Sequence, residues 1–156
     1  MSHPHAATRF ERFRWTLLGM EQTAADQGLV GLFATITPPS VPMPPALADM
    51  ALEAEWRQAR IMMSRAGLSV YGCSIRETYA RCGTPHRNLM LWITPEKVEQ
   101  VQLLLADAFC DAQIDRIKAF AFTPASEVAR YVAKYFQACL HLGDAEVMPR
   151  ARLVQL

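Results

Sequence analysis

Two segments of this chain carry residue types that phosphodiester chemistry could use. Gly83-Thr84-Pro85-His86-Arg87-Asn88 leads into Leu89-Met90-Leu91-Trp92-Ile93, and Tyr131-Val132-Ala133-Lys134-Tyr135 follows further along. Side chains alternate along a strand, so His86 and Asn88 share a face, and a carboxylate such as Glu77 can stand beside them from a neighbouring strand. On a helix Tyr131 and Tyr135 are one turn apart, so either phenol could reach a single site in turn. A hard divalent ion, magnesium or manganese, held by an imidazole and oxygen ligands polarises a phosphate while a phenol attacks in line. Tyrosine is a poor nucleophile, with a reference pKa of roughly 10, so the ion and an ammonium such as Lys134 would have to assist it. Single-stranded DNA is a substrate that such a set can cut.

The elements that must position these residues can be read from periodicity and punctuation. Phe10, Phe13, Leu17 and Leu18 recur at helical spacing, predicting a helix over 8–27 that closes at Gly28. Residues 29–37 are apolar and β-branched enough for a strand, ended by Pro38 and Pro39, and Pro42, Pro44 and Pro45 stiffen the loop beyond. A second helix is expected over 46–66, where Trp56 and Ile61 join a run of leucines and methionines before Gly67. Residues 69–77 and 86–94 read as a hairpin, followed by a helix from Pro95 to 112, a strand over 116–122 and a last helix from Thr123-Pro124 to 142.

The core order is therefore β-α-β-β-α-β plus one helix. It implies an α+β fold of ferredoxin-like, split βαβ type, an antiparallel sheet with two helices on one face. The expected organisation is a helical extension over 1–28, a core over 29–142 and a tail over 143–156, together one compact domain. Leu89, Leu91 and Ile93 should face the crossover helices, and His86, Asn88, Met90 and Trp92 the other side. A hairpin symmetric about Arg81 and Cys82 sets Glu77 opposite His86, a register that a slip of one residue would break.

Plainer readings stand beside these. Val128, Tyr131, Val132, Tyr135, Cys139 and Leu142 form an apolar stripe, which also suits two tyrosines packed in a core. His86 could simply open a strand after Pro85. Asn88, inward on a strand, needs polar partners if buried, which favours a polar site. Arg76, Arg81 and Arg87 gather at the hairpin, either to grip phosphates of DNA or as a solvated rim. Met62 and Met63 read as core filler, and His3 and His5 as terminus without a role.

Composition narrows the classes. A net charge of +1 gives little long-range attraction for a polyanion, so DNA contacts would have to come from local arginines. Cys73, Cys82, Cys110 and Cys139 show no paired spacing, which argues against a cysteine zinc site and for buried thiols in a reducing cytoplasm. No apolar run approaches the length of a membrane span, and 1–8 lacks a secretory pattern, so the expected location is the cytoplasm of whatever host makes the protein, a bacterial one if the resemblance given next holds.

Taken in order, Phe33-Ala34-Thr35-Ile36-Thr37-Pro38-Pro39-Ser40, Trp56, Tyr71-Gly72 through Glu77, Gly83-Thr84-Pro85-His86 and Tyr131-Val132-Ala133-Lys134-Tyr135 resemble the successive motifs of the bacteriophage replication gene A proteins. These belong to the HUH endonucleases that start rolling-circle replication. The resemblance covers roughly residues 29–136 and implies Glu77, His86 and Asn88 as metal ligands and Tyr131 and Tyr135 as nucleophiles. It implies a nickase that forms a 5′-phosphotyrosine bond, leaves a free 3′-hydroxyl, and uses the second tyrosine to close the product. Two departures stand out. The family strand motif is His, hydrophobic, His, where this chain has His86, Arg87, Asn88, and its Glu-Pro-His is here Glu77-Thr78-Tyr79. Some related initiators use glutamine at the second histidine position, and asparagine is one methylene shorter. Gene A proteins are also much longer than this chain. The alternative is therefore an inactive relative, its metal lost, that binds DNA or blocks a host protein such as a defence complex in an anti-CRISPR-like manner.

Overall fold

The computed structural model describes residues 4–38, 42–78, 83–109, 113–120 and 150–155, with the backbone alone for 4–14, 113–120 and 150–155. The chain divides into two units, Leu29–Ala121 with Arg150–Leu156, and Met1–Gly28 with Phe122–Pro149. The second contains helix α1 (Pro4–Asp26), which begins four residues before the expected Thr8. Leu17, Glu21 and Ala24 are buried along one side of it, while Trp15 is exposed.

The first unit is built on one sheet. Strands β1 (Val30–Thr37), β2 (Tyr71–Thr78), β3 (Pro85–Ile93), β4 (Gln113–Phe120) and β5 (Arg150–Gln155) lie in the order β4-β1-β3-β2-β5. Every neighbouring pair is antiparallel. Helix α2 (Pro45–Arg65) connects β1 to β2, leaving between them the place that β3 fills, and helix α3 (Val98–Ala108) connects β3 to β4 after a 3-10 turn at Pro95–Lys97. The fold is α+β, as the pattern of apolar runs predicts.

Local chemistry sets the ends of α2. Pro45 at the first turn has no N–H to leave unpaired, and its fixed φ suits a helix start. At the other end Gly67 takes φ +66°, while Leu68 N–H bonds Met63 O and Gly67 N–H bonds Ser64 O, both at 3.0 Å. That pair of bonds is a Schellman cap, and Leu68 folds back into the core against the helix it ends.

Alternation sorts the two faces of the sheet. Leu32, Ala34 and Ile36 of β1 and Leu89, Leu91 and Ile93 of β3 join Leu52, Trp56, Ala59 and Met63 of α2, Val101 and Leu105 of α3, and Phe109 just beyond it in one core. The opposite face carries Cys73, Ile75, His86, Asn88, Met90 and Trp92, all buried, with Tyr71 stacked on Trp92 at 5.5 Å between ring centroids. Between β2 and β3 the backbones approach closely: a Cβ on Gly72 would lie 1.9 Å from Met90 O.

Three expectations need correction. Residues 150–155 are not tail but a fifth strand that covers the outer edge of β2, an edge whose N–H and C=O groups would otherwise stand unpaired. Strand β4 begins at Gln113, three residues before the expected Arg116, and α3 ends at Ala108, short of 112, after which Phe109 is buried in the core. The helix expected over 124–142 lies outside the described residues.

Candidate functional site

The hairpin register places Glu77 directly opposite His86, as its symmetry about Arg81 and Cys82 predicts. The side chains meet across it, with His86 Nε2 3.0 Å from Glu77 Oε2 and both groups largely withdrawn from water. An ionised carboxylate only accepts, so the ring N–H at Nε2 donates to it. Two residues on, Asn88 is 3% exposed, and its Oδ1 accepts a 2.8 Å hydrogen bond from Thr35 Oγ1. Strand β3 thus lies in the middle, reaching Glu77 on β2 through His86 and Thr35 on β1 through Asn88.

This donor set can be tested against a divalent ion. Two ligand atoms at right angles around an ion with bonds of about 2.1 Å lie about 3.0 Å apart, the separation His86 and Glu77 already have. An imidazole that gives up its Nε2 proton and a carboxylate thus have the separation of adjacent ligands, while Nε2 is here hydrogen-bonded directly to Oε2 and not to an ion. The third expected ligand fits less well, because the Asn88 oxygen is engaged by Thr35. Among the described residues no group of three His, Cys, Asp or Glu side chains stands together where it could hold a metal.

The arginines are arranged differently from expectation. Arg87 is no solvated rim: it lies on the α2 side of β3, 3% exposed, with Nη1 donating to Ser74 Oγ and Nη2 to Glu53 Oε2, both at 2.7 Å. Burial lowers the pKa of its guanidinium, while the charge and hydrogen bond of Glu53 oppose that fall. Arg76 is held 2.8 Å from Asp49 and stays partly exposed. An arginine between two polar site residues alternates onto the face of the crossover helix, where two carboxylates meet the pair. Both are thus set apart from the face that carries His86 and Asn88. Arg81, Tyr131, Lys134 and Tyr135 lie outside the described residues.

Thr35, Asp49, Glu53 and Ser74 hold these side chains, and motif reading assigned none of them a role. Asp49 and Glu53, four apart beside the buried Ala48, Leu52 and Trp56, are the signal that was available: carboxylates on the flank of an apolar helix stripe call for cations beneath. Thr35 falls on the Asn88 face by alternation within β1, but its pairing with Asn88 depends on a β1–β3 register that no local turn encodes.

Residues 2–138 match a family described as bacteriophage replication gene A protein. A curated relative, the replication gene A protein of Escherichia phage 186, is 27% identical over 143 residues, which cover 75% of this chain and 20% of the relative. The chain therefore spans about a fifth of the length of that protein. No solved structure matches.

Proposed function

Because the chain belongs to the bacteriophage replication gene A protein family, we propose that it is a replication-initiator domain of the HUH type that cuts single-stranded DNA through tyrosine with the help of a divalent ion. The observation that carries this reading is the buried His86–Glu77 pair, whose facing atoms are spaced as two adjacent ligands of magnesium or manganese. The strand order β4-β1-β3-β2, with two crossover helices packed on one face, supports the ferredoxin-like form of the fold.

The ion would offset negative charge on the scissile phosphate. His86 and Glu77 would hold it. One phenol, Tyr131 or Tyr135, would attack phosphorus in line, forming a 5′-phosphotyrosine bond as the 3′ oxygen leaves. The other would be in place for the return transfer, with Lys134 lowering the cost of a phenolate. Arg81 is the hairpin arginine proposed to meet the DNA, while Arg76, held by Asp49, and Arg87, held by Glu53, act from the α2 side of the sheet. The site of action is the cytoplasm of the infected cell; no described helix is long and apolar enough to cross a membrane.

A second reading has an observation of its own in the Asn88–Thr35 bond, which occupies the oxygen of the third expected ligand. On that reading the protein binds DNA, or a host protein such as a defence complex, without cutting. One assay separates the two. Incubation with single-stranded oligonucleotides and manganese should yield a covalent adduct that migrates slowly on a denaturing gel, and Tyr131→Phe or Tyr135→Phe should reduce it. DNA binding with no adduct on sequences spanning the phage's own origin would leave the second reading.

A further inference from the structure

We propose that Trp15 and Gly19 on α1 form a stacking site for a base of single-stranded DNA. The inference rests on the single-strand reading above and names a part of the surface that holds the strand. The chain has three tryptophans, and they divide sharply: Trp56 and Trp92 are 3% and 2% exposed, whereas Trp15 is 64% exposed. An indole left in water forgoes the burial that its large apolar area would gain within a fold. Leu17, Glu21 and Ala24 mark the buried side of α1, and Trp15 stands away from it among the exposed Thr16, Gly19 and Gln22.

Gly19 is the second observation. It lies in the interior of α1, where glycine costs stability relative to alanine, and a positive φ does not call for it there. A Cβ built on it meets nothing within 4 Å among the described residues, so close packing does not call for it either. Side chains on a helix lean toward its N-terminus, so one at position 19 would lie over the turn that carries Trp15. Glycine leaves that space open to a flat ligand beside the indole. A nucleic-acid base is planar and stacks on an aromatic ring whatever its sequence. Charge favours a strand as well: Arg9, Arg12 and Arg14 fall in the two turns before Trp15, against Glu11 alone, and position 12 shares the helix side of position 15. A protein partner would need a broad apolar patch, whereas the exposed residues around Trp15 are polar or glycine.

The test uses intrinsic fluorescence, because iodide quenches an exposed indole and Trp15 is the exposed one of the three. Oligothymidylate, added in EDTA so that no metal contributes, should quench Trp15 and shield it from iodide, and an abasic strand of the same length should do neither. By anisotropy of a fluorescein-labelled oligothymidylate, Trp15→Ala should bind roughly fivefold or more weakly, with an unchanged dependence on salt because stacking releases no counterions. Trp15→Phe, which keeps a stacking face, should bind within about threefold of the wild type. Gly19→Gln should raise the melting temperature yet weaken the strand, a pairing that a merely structural glycine does not give. Equal binding by Trp15→Ala and the wild type, or a wild-type indole that iodide does not reach, would overturn the proposal. Shielding that grows with protein concentration and not with DNA would assign Trp15 to self-association and overturn it as well. The cutting reading fails separately: binding that depends on Trp15 without a covalent adduct leaves this inference standing, and an adduct with Trp15→Ala binding as the wild type does removes this inference alone. A wild type that binds no strand removes both.

Discussion

Arg87 Nη2 lies 2.7 Å from Glu53 Oε2 beneath α2, although both neighbours of Arg87 in sequence belong to the opposite face of the sheet. The strand that presents His86 and Asn88 is therefore fastened from behind by a charge pair at the position between them. Removing Glu53 leaves the buried Arg87 without its closest counter-charge, which costs more than the intact pair contributes. Glu53→Ala should destabilise the protein by about 2–4 kcal/mol, read as a lower urea midpoint with an unchanged slope. The double change Glu53→Leu with Arg87→Leu should recover most of the loss, because apolar side chains of similar volume carry no desolvation cost. Equal destabilisation by the single and double variants would show that the pair contributes through shape alone.

How much of this was legible in the sequence depends on whether a local or a distant feature decides it. The Glu77–His86 pairing was legible because one hairpin fixes it, and the faces of β3 were legible because alternation within a single strand sorts them. Strand β5 was not. Arg150-Ala151-Arg152-Leu153-Val154-Gln155 carries no clean apolar alternation, and its partner is the edge of β2 far back along the chain. The burial of Arg87 was hidden for a related reason: an arginine reads as surface until the carboxylate that meets it, on a helix more than thirty residues earlier, is known. Thr35 sat inside a recognised motif, but its role depends on the pairing of β1 with β3.

Cys73 offers a check on the second face of the sheet through pH. It is 1% exposed, and burial pushes its thiol from an ordinary 9.0 up to about 12. The folded state thus favours the neutral thiol. A group whose folded pKa is raised contributes its full stability below the unfolded value and loses it as pH climbs toward the folded one. Unfolding free energy should therefore fall between pH 9 and about 12, and this part of the fall should vanish in Cys73→Ala. At pH 8 Cys73 should also resist iodoacetamide in the native protein and react in urea, as peptide mapping by mass spectrometry can resolve. Rapid native labelling of Cys73 would mean that this face opens to solvent.

Metal binding and strand transfer should separate cleanly by residue. Glu77→Gln and His86→Gln each remove a charged or basic donor from the pair and should weaken manganese binding by roughly a hundredfold or more. Both should lose the oligonucleotide adduct with it. The double variant Tyr131→Phe with Tyr135→Phe should lose the adduct completely while binding manganese as the wild type does. Calorimetry and denaturing gels on the same preparations read both quantities. An adduct that persists in the double phenylalanine variant would place the nucleophile elsewhere in the chain.

Asn88→His tests whether the site can be returned to the family pattern. Imidazole is a stronger donor than an amide oxygen for manganese and other transition ions, and alternation already aims position 88 onto the face of His86. A ligating histidine also needs a partner for its second ring nitrogen, and Thr35 Oγ1, now 2.8 Å from the side chain at 88, is in place to accept that N–H. Manganese affinity should therefore rise by roughly tenfold or more in Asn88→His, and adding Thr35→Val should take back about tenfold of the gain. If the reversion leaves affinity unchanged, the surroundings of position 88 have drifted beyond the reach of one substitution, and the protein keeps the strand of its family without its chemistry. If it raises affinity but Thr35→Val has no further effect, the histidine finds its support elsewhere, and Thr35 belongs to the asparagine alone.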